Sequence, residues 1–392
     1  MQTDRTARPA PDRGWPVAVL GVPFDPTTIE DAVDRIETMV DSQRNCYVVT
    51  PNVDFLLRAR RDAALHRILV NADLVLCDGQ PIVWASHWLG NALPGRVAGS
   101  DVVPFLLARA ARRGWHIFIL GGADGVAALA ARRIAAAHPS LPAVASYSPP
   151  YRPLAEMDHA DIARRIRAAK PDIVLVCFGC PKQEKWIFQN YKDLGVPVMI
   201  GAGATVDFLA DRIRRAPRWM RRVGLECAFR LLLEPRRLFR RYASDLVHFF
   251  PALIAQMWQL PAGAAAGPPR PGPASFTMRY GLRVEAPERF QCAVLQRTHA
   301  FWDDAMAQTG HCLIDLSEVK SIDSTGVAFL AHWQRRLARG ERNLILFHPS
   351  AAVRAALDLM HMLGEFIIVE STASALSQAG ETELTACAVG AL

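Results

Sequence analysis

The sequence lacks several features that would assign it to common classes of protein. Its first thirty residues contain no basic start followed by an apolar run, so we expect no secretory signal. Of its eight cysteines, only Cys177 and Cys180 form a CxxC pair, and no second Cys or His pair lies at zinc-ligand spacing. These absences argue against a disulfide-based domain and a zinc site, and they predict a cytoplasmic protein with reduced core thiols.

Residues 1 to 260 also contain no Asp-x-Asp motif that could hold a divalent metal ion and no GxGxxG motif. We therefore expect no metal and no cofactor. The segment that most resembles a glycine-rich phosphate-binding loop is Gly121-Gly122, which follows an apolar run and precedes a helix pattern. Backbone N–H groups of such a loop can approach a diphosphate or nucleotide, whereas the simpler interpretation is a tight turn between a strand and a helix.

The sequence shows no clear membrane-spanning helix. Residues 246–269 contain no Asp, Glu, Lys or Arg, but Pro251, Gln256, Gln259 and Pro261 interrupt them. The uninterrupted part is shorter than the ~20 apolar residues that a spanning helix needs. Eleven arginines, interleaved with Leu, Phe and Trp, precede it between positions 211 and 242. We expect a basic amphipathic stretch lying in the membrane interface, because a nucleic-acid-binding helix would not need a broad apolar face.

What the sequence does contain indicates an α/β protein of two units. Apolar strand-like runs alternate with amphipathic helix patterns up to about residue 210, which predicts a mostly parallel sheet covered on both faces. The runs are Pro16 to Leu20, Tyr47 to Val49, Leu74 to Cys77, Trp115 to Leu120, Ile173 to Phe178 and Val198 to Ile200. A second strand and helix alternation, from Cys312 to Val369, predicts a smaller α/β domain.

Composition and charge place the boundary between these units. The segment PAGAAAGPPRPGP at 261–273 has the composition of a linker, and the net charge is +10 before residue 274 and −3 after it. The predicted organisation is a flexible N-terminus (1–15), a core (16–210), a basic helical appendage (211–260), the linker (261–273) and a small α/β domain (274–392).

Polar side chains follow several of the predicted strands, where open α/β sheets bind ligands. Asp78 is a candidate general base and Arg96 a candidate anion clamp, while Gln183 could bind sugar hydroxyls. The alternatives are that Asn52 caps a helix, that Asp78-Gly79 is a turn and that Gln183 lies in a solvated helix start. The full set is Thr50, Asn52, Asp78, Arg96, Asp101 and Gln183.

Seven short motifs, in order, resemble those of WecG/TagA/CpsF-type glycosyltransferases over roughly residues 16 to 245. The motifs are Thr50-Pro51-Asn52, Asp78-Gly79, Arg96 with Gly99-Ser100-Asp101, the segment GAGATVDFLA at 201–210, Arg215-Ala216-Pro217, Gly224-Leu225-Glu226 and Glu234-Pro235-Arg236-Arg237. The sequence departs from the family at Cys227, where Trp is usual, and at Ala202 and Ala204, where glycines are common.

The resemblance implies a Rossmann-like core with a C-terminal helical appendage. It also implies inverting transfer of a sugar, often N-acetylmannosamine, from a UDP-sugar to a polyprenyl-diphosphate-linked acceptor in cell-surface polysaccharide synthesis. It implies that Asp78 is the catalytic base and that Arg96 binds substrate. It further implies that Thr50, Asn52 and Gln183 contact the sugar or acceptor. Three appendage arginines, Arg230, Arg237 and Arg240, would close over the diphosphate. The expected location is the inner face of the cytoplasmic membrane, as a peripheral protein.

Residues 274 to 392 resemble a STAS domain, chiefly through Leu313-Ile314-Asp315-Leu316 and Asp323-Ser324-Thr325-Gly326. The resemblance makes Ser324 the candidate phosphorylation site and implies a protein partner or a kinase. On spacing alone, the simpler interpretation that Ser324 caps a helix is favoured. Self-association is left open.

Two other functions compete with sugar transfer. The chain could be a STAS-based signalling protein that uses a catalytically inactive nucleotide-binding domain as a scaffold. Nucleic-acid binding through the arginine tract ranks lowest, and we expect no nucleic-acid partner.

Overall fold

The computed structural model describes residues 14–142, 144–213, 216–217, 220, 229, 231, 235–261, 273–278 and 281–370. The predicted flexible N-terminus and linker therefore fall almost entirely outside the described residues, as does most of the arginine tract.

The chain begins with a hairpin that is separate from the main sheet. Strands β1 (Val17–Val19) and β2 (Val22–Phe24) pair antiparallel through a turn in which Leu20 and Gly21 have φ of 49° and 86°. Two successive positive φ values match the tight turn that right-handed strand twist favours. The prediction that Pro16 to Leu20 forms a strand of the parallel sheet is therefore wrong, because the chain reverses immediately after β1.

Six parallel strands form the main sheet, as predicted. They are β3 (Cys46–Val49), β4 (Leu74–Val75), β5 (Ile117–Gly121), β6 (Ala145–Tyr147), β7 (Ile173–Cys177) and β8 (Val198–Gly201). Their order across the sheet is β4-β3-β8-β7-β5-β6. Because all six run in the same direction, their carboxyl ends share one edge.

Helices cover both faces of this sheet. They are α1 (Ile29–Ser42), α2 (Val53–Ala59), α3 (Ala63–Val70), α4 (Gln80–Trp88), α5 (Gly99–Arg113), α6 (Val126–Ala137), α7 (His159–Ala169), α8 (Lys182–Asn190) and α9 (Thr205–Leu209). The apolar residues of α1, α5, α6 and α9 fill the core on one face, and those of α2, α3, α4, α7 and α8 fill the core on the other. Thr28 begins α1 with a capping box to Asp31, in which each side chain accepts a backbone N–H of the other residue.

A long helix, α10 (Pro235–Gln259), packs on the second of these faces. Phe249 and Leu253 are buried in the same core as α2, α3 and α4. Pro251 lies within this helix, which continues through it. Burial of the flanking Phe249 and Leu253 holds α10 in place, although proline removes one backbone donor.

The second unit has a five-stranded sheet, as the sequence predicted for a small α/β domain. Its strands are β9 (Ala274–Met278), β10 (Gly281–Glu285), β12 (His311–Asp315), β14 (Leu344–Phe347) and β15 (Ile367–Val369), in the order β15-β14-β12-β10-β9. A short parallel pair, β11 (Arg289–Phe290) and β13 (Ser321–Ile322), lies beside it. The helices are α11 (Cys292–Arg297), α12 (His299–Ala307), α13 (Ser324–Ala338) and α14 (Ala351–Leu359).

The two units share a hydrophobic core. Trp15, Ala18, Val70 and Leu260 of the first unit are buried in the cluster that surrounds α13 of the second. The two units therefore pack against each other through a continuous hydrophobic core.

Candidate active site

The carboxyl ends of β3 and β4 lie side by side and are tied together by backbone hydrogen bonds. The Leu76 N–H donates to the Val49 carbonyl at 2.9 Å, and the Asp78 N–H donates to the Pro51 carbonyl at 3.1 Å. The Val97 N–H donates to the Cys77 carbonyl at 2.7 Å. These bonds bring three motifs that are far apart in the sequence to one point at the edge of the sheet.

Arg96 lies between two carboxylates at this edge. Its Nη2 is 2.6 Å from Asp101 Oδ2, and its Nη1 is 3.4 Å from Asp78 Oδ1. The side chain of Asp78 is 30% exposed, whereas those of Arg96 and Asp101 are 14% and 11% exposed. Asp101 therefore fixes the guanidinium, and the guanidinium orients Asp78, whose carboxylate is the most accessible of the three groups.

Thr50 and Asn52 border the same point, but both make bonds within the protein. The Thr50 hydroxyl donates to the Gly201 carbonyl at 3.2 Å and joins β3 to the end of β8. Asn52 caps α2, since its Oδ1 accepts the Phe55 N–H at 3.3 Å. The capping interpretation of Asn52 is thus confirmed, and a ligand contact by either residue stays a prediction.

Gln183 holds two loops together at the ends of β7 and β8. Its Oε1 accepts the N–H groups of Gly179 at 3.0 Å and Gly203 at 3.1 Å. Its Nε2 donates to Glu184 Oε1 at 2.7 Å. The side chain is buried rather than solvated, so a sugar contact would have to use the second amide hydrogen. That contact stays a prediction.

Glu184 is a buried carboxyl group in this region to which the sequence interpretation gave no role. Its Oε2 has no hydrogen-bond partner among the described residues, and burial raises the pKa of Glu184 to about 7. A Cβ added at Gly201 would lie 3.0 Å from Gln183 Nε2 and 3.1 Å from Glu184 Oε1, so the backbone of β8 approaches this pair closely. The signal in the sequence was a carboxylate directly after Gln183 in a motif at a strand end.

Gly121 and Gly122 form a tight turn that lies against the end of the neighbouring strand β7. Their φ values are 105° and 80°, and a Cβ on Gly121 would lie 2.8 Å from the Cys177 carbonyl oxygen. The Gly122 N–H donates to the same carbonyl at 3.0 Å. This amide is already used inside the sheet, which favours the turn interpretation over a diphosphate cradle.

Of the three arginines predicted to close over the diphosphate, only Arg240 has a described side chain. Arg230 lies outside the described residues, and the side chain of Arg237 is not among those described. Arg240 lies on α10 and is exposed. Their role in closing over a diphosphate stays a prediction.

Ser324 lies away from this edge, at the start of α13. Asp323 is the N-cap of that helix, because its Oδ1 accepts the N–H groups of Thr325 and Gly326. The interpretation that Ser324 itself caps the helix is therefore wrong. The Ser324 hydroxyl is fully buried and accepts a hydrogen bond from Gln256 at 2.8 Å.

An apolar surface lies beside the candidate site. Helix α4 begins two residues after Asp78 and exposes Trp84 and Trp88, and Trp88 packs against Phe250 of α10 with ring centroids 6.3 Å apart. On α10 the exposed large apolar side chains are Phe239, Leu246, Val247, Ile254 and Trp258. Within the described part of the chain, no helix combines the length and hydropathy required to cross a bilayer, and no group of three His, Cys, Asp or Glu side chains has a metal-binding arrangement.

Comparison with known proteins agrees with this architecture. The family model described as Glycosyl transferase WecG/TagA/CpsF family matches residues 17–263, and a model described as Mlab, STAS domain matches residues 293–370. An N-acetylglucosaminyldiphosphoundecaprenol N-acetyl-beta-D-mannosaminyltransferase of Bacillus subtilis (strain 168) is 32% identical over 221 residues, which are 56% of this chain and 84% of the relative. A Staphylococcus aureus (strain NCTC 8325 / PS 47) protein of the same name is 28% identical over 226 residues, 57% of this chain and 87% of the relative. Both expected resemblances are confirmed, and the chain belongs to the WecG/TagA/CpsF family of glycosyl transferases and carries a C-terminal STAS domain.

Proposed function

We propose that this protein transfers a hexose, such as N-acetylmannosamine, from a UDP-sugar to a polyprenyl-diphosphate-linked acceptor, with inversion at the anomeric carbon. The observation that carries the proposal is Asp78, a partly exposed carboxylate at the sheet edge that Arg96 orients. The names of the relatives support an acceptor of this class, since both describe transfer to N-acetylglucosaminyldiphosphoundecaprenol. Such a product belongs to the synthesis of cell-surface polysaccharide.

In the proposed reaction, Asp78 removes the proton from the attacking hydroxyl of the acceptor. The hydroxyl oxygen forms a bond to the anomeric carbon while the bond from that carbon to the UDP oxygen breaks, and UDP leaves with the electron pair. A base must come within hydrogen-bond distance of the proton it removes. The exposed fraction of Asp78 and its place above the strand ends are consistent with that requirement.

The departing diphosphate needs positive charge. Because residues 1 to 260 contain no Asp-x-Asp motif, we assign this task to arginines rather than to a metal ion. Guanidinium groups bind phosphate oxygens in bidentate geometry. Arg230, Arg237 and Arg240 are the candidates, and Arg240 is exposed on a helix that packs beside the site.

The lipid-linked acceptor suggests that the enzyme works at the inner surface of the cytoplasmic membrane. Exposed apolar residues at helical spacing, including Val247, Ile254 and Trp258, form one stripe along α10. Trp84 and Trp88 extend this surface towards Asp78. Together with the basic charge of the first 273 residues, this surface fits attachment to anionic lipid.

For the STAS domain we propose regulation or the binding of a protein partner, with Ser324 as the site of phosphorylation. Because the Ser324 hydroxyl is fully buried, a kinase could reach it only after the two domains separate. Mass spectrometry of the protein isolated from cells that express it would test the modification. Complete absence of a phosphate on the peptide that contains Ser324 under all growth conditions would contradict it.

The transfer itself is tested with a panel of UDP-sugars and a short polyprenyl-diphosphate acceptor in the presence of EDTA. We expect full activity in EDTA, and strict dependence on magnesium or manganese would contradict the metal-independent part. Asp78→Asn should lower kcat by about 10²–10⁴-fold, since general-base catalysis contributes that much. Asp193→Asn, at an exposed position, is the matched control. Absence of transfer by the wild-type protein from every donor would favour the scaffold function instead.

A further inference from the structure

The STAS domain lies directly on the N-terminal hairpin of the transferase. The ring of Trp15 stacks on His299 with centroids 4.5 Å apart and meets the ring of Phe329 edge-on at 4.8 Å. A Cβ added at Gly21, in the turn of the hairpin, would lie 2.3 Å from the carbonyl oxygen of Met360. The two surfaces are therefore in close contact at both ends of β1.

Gln256, near the end of α10, joins three parts of the molecule. Its Oε1 accepts the Leu20 N–H at 2.8 Å, and its Nε2 donates to the Ala18 carbonyl and to the Ser324 hydroxyl, each at 2.8 Å. All of these groups are buried. A single amide thus links α10, the hairpin and the first residue of α13, and a buried polar group that loses such partners is costly.

Asp25 connects the STAS domain to strand β4. Its Oδ1 is 3.4 Å from Arg335 Nη2, both side chains are 4% exposed, and its Oδ2 accepts the Val75 N–H at 2.8 Å. Burial alone would raise the pKa of Asp25, but Arg335, Arg35, His332 and the hydrogen bond from the Val75 N–H together outweigh burial and lower that pKa. Arg335 also donates to the Ala72 carbonyl at 2.9 Å.

Asp73 makes the equivalent connection to strand β3. Arg339, just after α13, donates from Nε to Asp73 Oδ1 at 2.9 Å and from Nη2 to the Asp73 carbonyl at 2.8 Å. The other carboxylate oxygen of Asp73 accepts the Tyr47 N–H at 2.8 Å. Arg335 and Arg339, at the C-terminal end of α13, therefore contact two aspartates. The carboxylates of these aspartates accept backbone N–H groups of β4 and β3.

We propose that the docked STAS domain is a positioning element of the transferase, which holds β3, β4 and α10 in the arrangement that sugar transfer requires. This inference rests on the proposed function. Strands β3 and β4 lead directly to Asn52 and Asp78, and α10 carries Arg240 and the apolar stripe. Loss of the docked state would displace groups on both sides of the acceptor, and small displacements of catalytic groups have large effects on rate.

In the docked state, the buried start of α13 has a partner within the same chain. The Ser324 hydroxyl accepts a hydrogen bond from Gln256 of α10, and the same amide nitrogen donates to the Ala18 carbonyl of the hairpin. Any outside partner that uses the start of α13 must first displace the transferase domain, and it would thereby lower transfer.

The test compares two pairs of variants in the full-length protein. Gln256→Leu removes the side-chain amide that bonds to Leu20, Ala18 and Ser324. Its control, Gln259→Leu, changes an exposed glutamine one turn further along the same helix. Arg339→Ala removes the contact with Asp73, and Arg336→Ala changes an exposed arginine of α13 that faces Asp303 of the STAS domain itself. Steady-state kinetics with the lipid acceptor and amide hydrogen exchange are measured for all four.

We expect Gln256→Leu to raise KM for the acceptor about tenfold and Arg339→Ala to raise it about threefold, with both controls within about twofold of wild type. Hydrogen exchange should become faster in β1, β2, β4 and the first turn of α13. A smaller folded fraction would lower the maximal rate without changing KM, so a rise in KM separates positioning from a general loss of structure.

Unchanged acceptor KM in variants whose hydrogen exchange shows an opened interface would overturn the positioning role. Unchanged exchange in Gln256→Leu would overturn the claim that Gln256 holds the domains together. If wild-type protein transfers no sugar at all, the proposed function fails, while the exchange data still decide whether the domains are docked through these residues.

Discussion

The candidate active site and the interface between the two domains both contain pairs of arginine and aspartate, and one pair from each place shows a large difference in exposure. At the active site, Arg96 contacts Asp78, which is 30% exposed. At the interface, Arg335 contacts Asp25, and both side chains are 4% exposed. The same chemistry therefore serves two purposes. The exposed carboxylate is left accessible to a substrate, whereas the buried carboxylate has its oxygens engaged by Arg335 and by the backbone of β4.

The largest expected effect on stability comes from breaking the buried pair. Arg335→Met leaves Asp25 as a buried charge without its main partner, which should lower the free energy of unfolding by about 3–5 kcal/mol. Arg96→Met at the active site should cost less, about 1–2 kcal/mol, because its two partners, Asp78 and Asp101, are 30% and 11% exposed and keep more contact with water than Asp25 does. Chemical denaturation of both variants measures the difference, with Arg336→Met as the exposed control. Equal losses at the two sites would show that exposure does not distinguish them.

A somewhat smaller effect concerns Glu184, which lies beside the active-site loops. Its pKa is raised from 4.5 to about 7 by burial, so the folded state binds a proton that the unfolded state releases between these pH values. Stability contributed by protonated Glu184 is therefore full below about pH 4.5 and is lost as the pH rises to about 7. Relative to wild type, Glu184→Gln should gain stability over this window, approaching about 3 kcal/mol.

The measurement is the difference in unfolding free energy between Glu184→Gln and wild type at several pH values from 4 to 8. Glu156→Gln, at an exposed position, is the control. A difference for Glu184→Gln that stays constant across the range would contradict the raised pKa.

The smallest expected effect concerns the apolar surface beside the active site. Trp84→Ala or Trp88→Ala should each weaken partitioning into vesicles that contain anionic lipid by roughly fivefold, equivalent to about 1 kcal/mol of lost apolar contact. Binding of the wild type should also weaken at high salt. Phe105→Ala is the control, since Phe105 is exposed on α5, which packs on the opposite face of the sheet. Equal losses for all three variants would remove the argument for a specific membrane surface.

The fold of each unit could be predicted from local patterns. The exceptions are the β1–β2 hairpin and the continuation of α10 through Pro251. The strands that became β3, β5, β7 and β8 are apolar runs with buried residues on both sides, and such runs are typical of parallel sheets. The hairpin β1 and β2 was missed because its turn is two residues long and lies inside one apolar run. The continuation of α10 through Pro251 was missed because the burial of Phe249 and Leu253, which stabilises the helix, depends on distant residues.

The sequence indicated which of the candidate residues would meet at the edge of the sheet, but it did not indicate their contacts. Motifs at the ends of parallel strands had to meet at one edge, so the proximity of Thr50, Asp78 and Arg96 followed from the alternation of strands and helices. The sequence did not indicate that Gln183 is buried between two backbone amides, nor that Glu184 is buried beside it. Those facts depend on how closely β8 approaches α8 at Gly201.

The sequence by itself determined the class of fold, the two units and the residues that gather at the sheet edge. These follow from apolar periodicity and from the alternation of strands and helices, which can be recognised in short segments of the chain. Only the tertiary structure decided that the STAS domain docks on the hairpin and that Ser324 lies beneath Gln256. Gln256 is 68 positions from Ser324 and 238 positions from Ala18 of the hairpin, so no local pattern specifies these contacts. The hydrogen bonds of Gln256 are strong because their polar groups are buried together, and this burial exists only after both domains have folded and packed against each other.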